Sequence, residues 1–414
     1  MNAAGASAPG GAAPLLWGDK RFHTWNCEMR RQFGRKVFKV MLDAGFTCPN
    51  RDGTIAIGGC TFCSARGSGD FAGSRRDDLV VQFNKIRDRQ HKKWPDALYI
   101  GYFQAYTNTY APVHVLREYY ETILAQPGVV GLSIATRPDC LPDDVVDYLA
   151  ELNERTYLWV EMGLQTIHES TSKLINRAHD TACYYDAVRR LRERGIRVCA
   201  HIIYGLPLET HEMMLETGRA VADMDVQGIK IHLLHLMRKT PMVKQYEAGL
   251  VRFLEMDEYV NLVVDTLEML PPEMIVHRVT GDAPRELLIG PMWSLKKWEV
   301  LNAIDAELAR RNTWQGKLRG AGGSDANGGA GLLHGAGGSD ANGSAGLLHG
   351  TGGSDANGGA GLLHGAGGSA LTGAFGGNVL SGGDSNAAVA DGADHEDDEL
   401  VDSRTGVGGC PGGC

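Results

Sequence analysis

"KVFKVMLDAGFTCPNRDGTIAIGGCTFC", residues 36–63, runs from an apolar segment straight into three cysteines, Cys48, Cys60 and Cys63. The opening run, 36–42, is nearly continuous in apolar character, which suits a strand covered on both faces, as in a parallel sheet. Five more runs of this kind follow, at 97–103, 129–136, 156–164, 196–206 and 228–237. Helical stretches lie between them, such as "LPDDVVDYLAELNE" (141–154) and "HDTACYYDAVRRLRERG" (179–195), the latter ending on a helix-stopping glycine. Six strand–helix units in a row predict an α/β fold, either an open doubly wound sheet or a partial (β/α)6 TIM-type barrel. In both, chemistry sits at the C-terminal ends of the strands, and the three cysteines occupy the first such loop.

Soft ligands at this spacing point to a metal. The "CTFC" pair places two thiolates on one tight turn, which suits a single ion or two irons of a cluster. Gly58 and Gly59 supply the positive φ values that a loop wrapped closely around such a group needs. Three readings are open from spacing alone: an iron–sulfur cluster with one open iron, a zinc knuckle, or a redox or incidental set. A structural zinc site needs a fourth ligand, and the imaginable donors, His91 and Cys140, lack ligand spacing.

The rest of the composition sets limits. Nine cysteines, scattered from Cys27 to Cys414, do not make a disulfide framework and fit a reducing, intracellular setting, most simply the cytoplasm, with an organellar stroma or matrix as the alternative. No run of 18 apolar residues occurs, so no membrane partner is expected. Residues 1–19 read as a disordered lead-in without a signal-peptide pattern, and residues 320–414 as a disordered, low-complexity tail with a 15-residue repeat, "GAGGSDANGGAGLLH". The tail holds eleven acidic residues and one arginine, so the net charge of −9 belongs to it and leaves the body near +1. Within the body, basic clusters at 29–39, 85–94 and 188–197 fit either solvated helix faces or nucleic-acid contact.

Six segments together resemble the radical S-adenosylmethionine (radical SAM) superfamily: "DAGFTCPNRDGT", "CTFC", "YFQAYTNTYAP", "ATRPDCL", "EMGLQTIHESTSKLINRAHD" and "HIIYGLPLET". The long interval between Cys48 and Cys60 is similar to the Elp3-like branch, within which the chain resembles a bacterial-type family. The resemblance covers about residues 20–318 and implies a partial barrel over 20–240 and a C-terminal extension over 241–319 that completes the barrel and carries the substrate region. It also implies a [4Fe–4S] cluster on Cys48, Cys60 and Cys63, with S-adenosylmethionine chelating the open iron through its amino and carboxylate groups. Reductive cleavage to a 5′-deoxyadenosyl radical would follow, fed by a flavodoxin- or ferredoxin-like electron donor.

Further residues take roles from the same resemblance. Phe62 matches the aromatic position whose neighbouring backbone approaches adenine. Where most members carry a Gly-Gly-Glu-like stretch, this chain has "QAYTN", leaving Gln104, Thr107 and Asn108 as candidates for the amino-group contact. Ser133, Thr136 and Arg137 are candidates for the ribose or the carboxylate, against the alternative that Arg137-Pro138-Asp139 is only a turn capping a helix. Alternation places Glu161, Gly163 and Gln165 on one face, and a glutamate in so apolar a strand suggests a polar cavity. Arg177 resembles the arginine that reaches the methionine carboxylate, and His201 begins the adenine-binding stretch or is structural. Downstream, Arg278, Asp282 and Arg285 are candidates for an anionic substrate group, and Trp293 and Trp298 either stack on a base or cap the barrel mouth. The Elp3-like branch implies tRNA or another nucleic acid as substrate, with a small metabolite or a non-catalytic iron–sulfur or zinc binding module as alternatives.

Overall fold

A computed structural model describes residues 14–319; the expected repeat tail, the terminal cysteines and residues 1–13 lie outside the described residues. The six runs form parallel strands β1 (Val37–Leu42), β2 (Leu98–Phe103), β3 (Val129–Thr136), β4 (Tyr157–Gln165), β5 (Arg197–Tyr204) and β6 (Gly228–Leu233). The sixth run ends earlier than its apolar length suggests. Leu233 and Leu234 are both buried, which breaks the two-residue alternation. The chain then turns into β7 (Leu236–Met237), which pairs antiparallel with β9 (Leu288–Gly290). A seventh parallel strand, β8 (Ile275–Arg278), joins β6 from the C-terminal extension, giving the order β1-β2-β3-β4-β5-β6-β8. The sheet is a curled half-barrel with helices on its outer face.

Helix ends follow local chemistry. Asp180 caps helix Thr181–Glu193 by accepting from the Cys183 amide, and Gly195 leaves the helix at φ 68°. Asp139 does not cap helix Asp143–Arg155, whose N-cap is Pro142; it pairs with Arg137 instead. Part of the expected lead-in is ordered: Trp17 stacks on His23 with centroids 5.8 Å apart and pairs with Lys20 across a bridge.

The outward side chains of the strands, such as Phe38, Val40, Leu158 and Ile202, join the main core under the helices. The inward ones divide into layers. Val37, Ile100, Trp159 and Cys199 meet Trp25 and Met29 of the N-terminal helix Trp25–Phe33 to make an apolar plug. Each such fully buried large side chain contributes roughly 1.5–3 kcal/mol. Above the plug, Lys39, Met41, Ala135, Gly163, His201, Ile203 and His232 are only partly buried, although their strand neighbours are covered. The barrel therefore encloses a cavity, closed by the plug and open at the C-terminal ends of the strands.

Candidate active site

The cysteine loop is folded by its own backbone. The amides of Arg51 and Asp52 donate to the Cys48 carbonyl, at 2.8 and 3.1 Å, and the Cys63 amide donates to the Cys60 carbonyl at 3.0 Å. Gly58 and Gly59 sit at φ 89° and 78°, as the wrapped loop requires. Any side chain at Gly59 would strike Arg51, whose guanidinium donates to the carbonyls of Cys63 at 3.0 Å and Ser64 at 2.5 Å. Burial, reinforced by the neighbouring Cys63 charge, pushes the Cys60 thiol up to about 12. Its thiolate thus needs a positive partner such as a metal.

A second segment supports this loop from behind. Asn176 and Ala178 adopt left-handed backbone, φ 53° and 61°, and so make a strained turn. Asn50, between the first two cysteines, donates to the Asn176 carbonyl at 2.7 Å, and Asn176 donates back to the Gly59 carbonyl at 2.8 Å. Arg137 donates to the Arg177 carbonyl at 2.8 Å. The Arg177 side chain is fully buried and holds the turn together, donating to the carbonyls of Leu164 (2.6 Å), Thr166 (2.7 Å) and His179 (3.0 Å).

On the cavity floor the chemistry is ionic. Glu161, 1% exposed, accepts from Lys39 at 2.7 Å, Lys230 at 2.5 Å, His201 at 2.9 Å, and Ser133. Burial works against its charge, but Lys230 and Lys39 hold its carboxyl well below the usual carboxylate range. Burial lowers Lys230 to about 8 and, with the Lys230 charge adding to it, lowers His201 to about 4, so His201 is neutral at pH 7. Lys230 also donates to the Tyr102 hydroxyl at 3.0 Å.

The chain matches the Radical SAM superfamily model over residues 48–221 and the Radical_SAM C-terminal domain over 226–310. It is 69% identical to Bacillus subtilis YtqA over 300 residues, 72% of this chain and 93% of that protein. The chain belongs to the radical SAM superfamily. Over 163 residues, 38% of the chain and 29% of the relative, it is 26% identical to human Elongator complex protein 3. The archaeal Methanocaldococcus infernus Elp3 structure aligns with TM-score 0.51 and 16% identity, covering 68% of this chain and 64% of that one, and shares the fold. This chain is thus a radical SAM enzyme with a likeness to Elp3, and the radical SAM superfamily normally uses a [4Fe–4S] cluster and S-adenosylmethionine.

The donor set of this radical SAM chain fits the cluster. Among the described residues no three His, Cys, Asp or Glu side chains are placed to hold one metal ion. Two buried acceptors near the loop lack partners, the side-chain oxygens of Asn50 and Asn108. The Asn108 amide nitrogen is used on the Ala135 carbonyl at 2.9 Å, so its free oxygen suits an ammonium group. Thr107 is buried beside it with its amide on the Thr47 carbonyl, and Gln104 donates to the Ser68 carbonyl at 3.3 Å. Phe62 packs against the apolar cluster of Ile175, Leu206 and Met242.

Other expected residues have different surroundings from those their patterns suggest. All the donor groups of Arg177 are engaged within the chain, so its contacts are those of a clamp and not of a carboxylate ligand. Thr136 shares its hydroxyl with Thr109 at 2.5 Å. At Gln165 the regular alternation ends, because β4 shifts register between Gly163 and Gln165 and Gln165 turns left-handed at φ 58°. Its side chain folds back to where a Cβ on Gly163 would stand. Asp282 joins Arg278 (3.5 Å) and Lys297 (3.2 Å), whereas Arg285 is exposed. Trp293 donates to the Leu254 carbonyl at 3.0 Å and packs on Tyr259, so it is core; Trp298 is 42% exposed. Arg189, Arg190, Arg192 and Arg194 of the third basic cluster each pair with an acid of this chain, which is the solvated-face alternative.

Sequence reading missed Lys39, Tyr102, Lys230, His232, His235 and Lys297. A signal existed: Lys39, Lys230 and His232 interrupt apolar strands at inward positions, as Glu161 does. Among the described residues no helix is long and apolar enough to cross a membrane.

Proposed function

We propose that this radical SAM enzyme holds a [4Fe–4S] cluster on Cys48, Cys60 and Cys63 and modifies a nucleic acid, with tRNA as the leading class. The observation that carries the reading is a buttressed three-cysteine loop at the mouth of a polar barrel cavity. When bound, the cluster and S-adenosylmethionine supply one-electron cleavage of the sulfonium and abstraction of a hydrogen from an unreactive carbon. The protein orients and shields. Asn108, with Gln104 and Thr107 beside it, would receive the amino group, and Phe62 would back the adenine. Trp25, Trp159 and Met29 close the lower end of the cavity against water.

The Elp3-like affinity supports the nucleic-acid class. So does an open cleft of about 470 Å³ beside the cysteine loop, lined by Arg66, Arg75, Arg76, Asp43 and Tyr106, where three cations against one acid leave a net positive charge beside an aromatic ring, as in single-strand binders. The enclosed ionic floor favours a second reading, a small charged metabolite. Anaerobic reconstitution followed by assay for 5′-deoxyadenosine under reducing conditions tests the chemistry; an intact cluster without cleavage would sink it. Nucleoside profiles of tRNA from cells with and without the gene test the substrate class, and identical profiles would remove tRNA.

A further inference from the structure

Glu161 is clasped by two ammonium groups, Lys39 at 2.7 Å and Lys230 at 2.5 Å, on the floor of the cavity. The other titratable groups facing it do not restore the balance. His201 and His277 are held neutral, chiefly by burial, and burial keeps the Tyr102 hydroxyl protonated. Lys230 is the register partner of His201 on β5, and its neighbour on β8 is Arg278, which with Lys297 flanks Asp282. Two buried cations on one carboxylate leave a positive charge that a low-dielectric site tolerates poorly without a counter-ion. The side chains of Lys39 and His201 remain 14% and 18% exposed, so this charge can be reached from the cavity.

We propose that Lys39 and Lys230, sharing Glu161, form a seat for an anionic group of the substrate, a phosphate or a carboxylate, at the floor of the barrel. The inference rests on reading the cavity as the substrate site of a radical SAM enzyme, and it assigns the chemical class that enters. Glu161 fixes both ammonium groups in place and prevents an anion from neutralising them completely, so the seat holds its ligand reversibly. Arg278, the register neighbour of Lys230 on β8, and Lys297 share Asp282 and so add one further net positive charge.

The test is calorimetric titration of the full chain carrying its reconstituted cluster. The probes are inorganic phosphate, uridine 5′-monophosphate, a short oligouridylate, succinate and, as the uncharged reference, uridine. At least one anion should bind ~10-fold or more tightly than uridine. Lys39→Met leaves Glu161 paired one to one with Lys230; it should weaken that anion by a similar factor while the melting temperature stays near wild type. Lys230→Met provides the same comparison from the other side. Glu161→Gln should melt lower and be rescued by the bound anion more than wild type is. A preference for phosphate and the nucleotide, for the oligomer alone, or for succinate would each support the seat and identify its source as free phosphate ester, polymer backbone or carboxylate. No preference for any anion over uridine overturns the proposal. So does a lysine variant that loses affinity for S-adenosylmethionine and keeps its anion affinity. Cleavage of S-adenosylmethionine by the wild-type enzyme is scored separately, so the seat can fail while the radical chemistry stands.

Discussion

Arg177 and Glu161 are both buried with almost no water contact, and their charges are satisfied in opposite ways. Arg177 donates to the backbone carbonyls of Leu164, Thr166 and His179, with one distant carboxylate, Glu169, at 3.5 Å. Glu161 is surrounded by side chains that themselves carry or exchange protons. A charge held by backbone cannot be released without unfolding the backbone, so Arg177 is a fastener. A charge held by lysines and histidines can share them with a ligand, so Glu161 belongs to a working surface. Burial alone, equal in the two, would not have separated these roles.

Substitutions at the two sites should diverge accordingly. Arg177→Met removes the donors from three backbone carbonyls, two of them buried, and the expected cost is on the order of 4 kcal/mol. Iron retention after reconstitution should fall with it, because the turn at Asn176–Ala178 anchors the cysteine loop; a folded variant with full cluster content would break the comparison. Glu161→Gln keeps the shape and costs about 2–3 kcal/mol by leaving two lysines facing an uncharged amide. Its cluster content should be unchanged, which absorbance after reconstitution reads directly.

A pH titration comes next in size. His201 and His235 are lowered from 6.5 to about 4 by burial, so the unfolded chain takes up protons first as pH falls. Stability should therefore decline progressively from about pH 6.5 towards pH 4, and Glu161, held below the usual range, adds its loss at lower pH still. Urea midpoints measured across that interval check the sign; a flat profile would mean that these histidines are charged in the fold. At the small end, Arg189→Ala breaks exposed pairs with Asp186 and Glu193 and should cost under about 1 kcal/mol.

Much of the working surface could be read from strand pattern. The inward positions of β1, β4 and β6 follow from alternation, and Lys39, Glu161 and Lys230 stand out there as charges in apolar runs. The C-terminal extension was less legible. Ile275–Arg278 is only four residues long, too short for periodicity to declare a seventh strand. Arg177 misled for a different reason: its motif points to a ligand contact, but nothing in a linear pattern tells whether a guanidinium faces a cavity or a turn of its own chain.

The amino-acid sequence by itself determined the six strand–helix units, the wrapped glycines of the cysteine loop and the end of the barrel where the chemistry belongs. These depend on side-chain period and local backbone preference, which act over a few residues. Only the tertiary structure decided who meets whom. Lys39 lies 122 residues and Lys230 69 residues from the glutamate they share. Their meeting depends on the register and curl of the parallel sheet, where each strand's stagger is fixed by packing against its neighbours and the helices outside. Alternation can assign a charge to a face; the curl of the half-barrel gives that charge its partners.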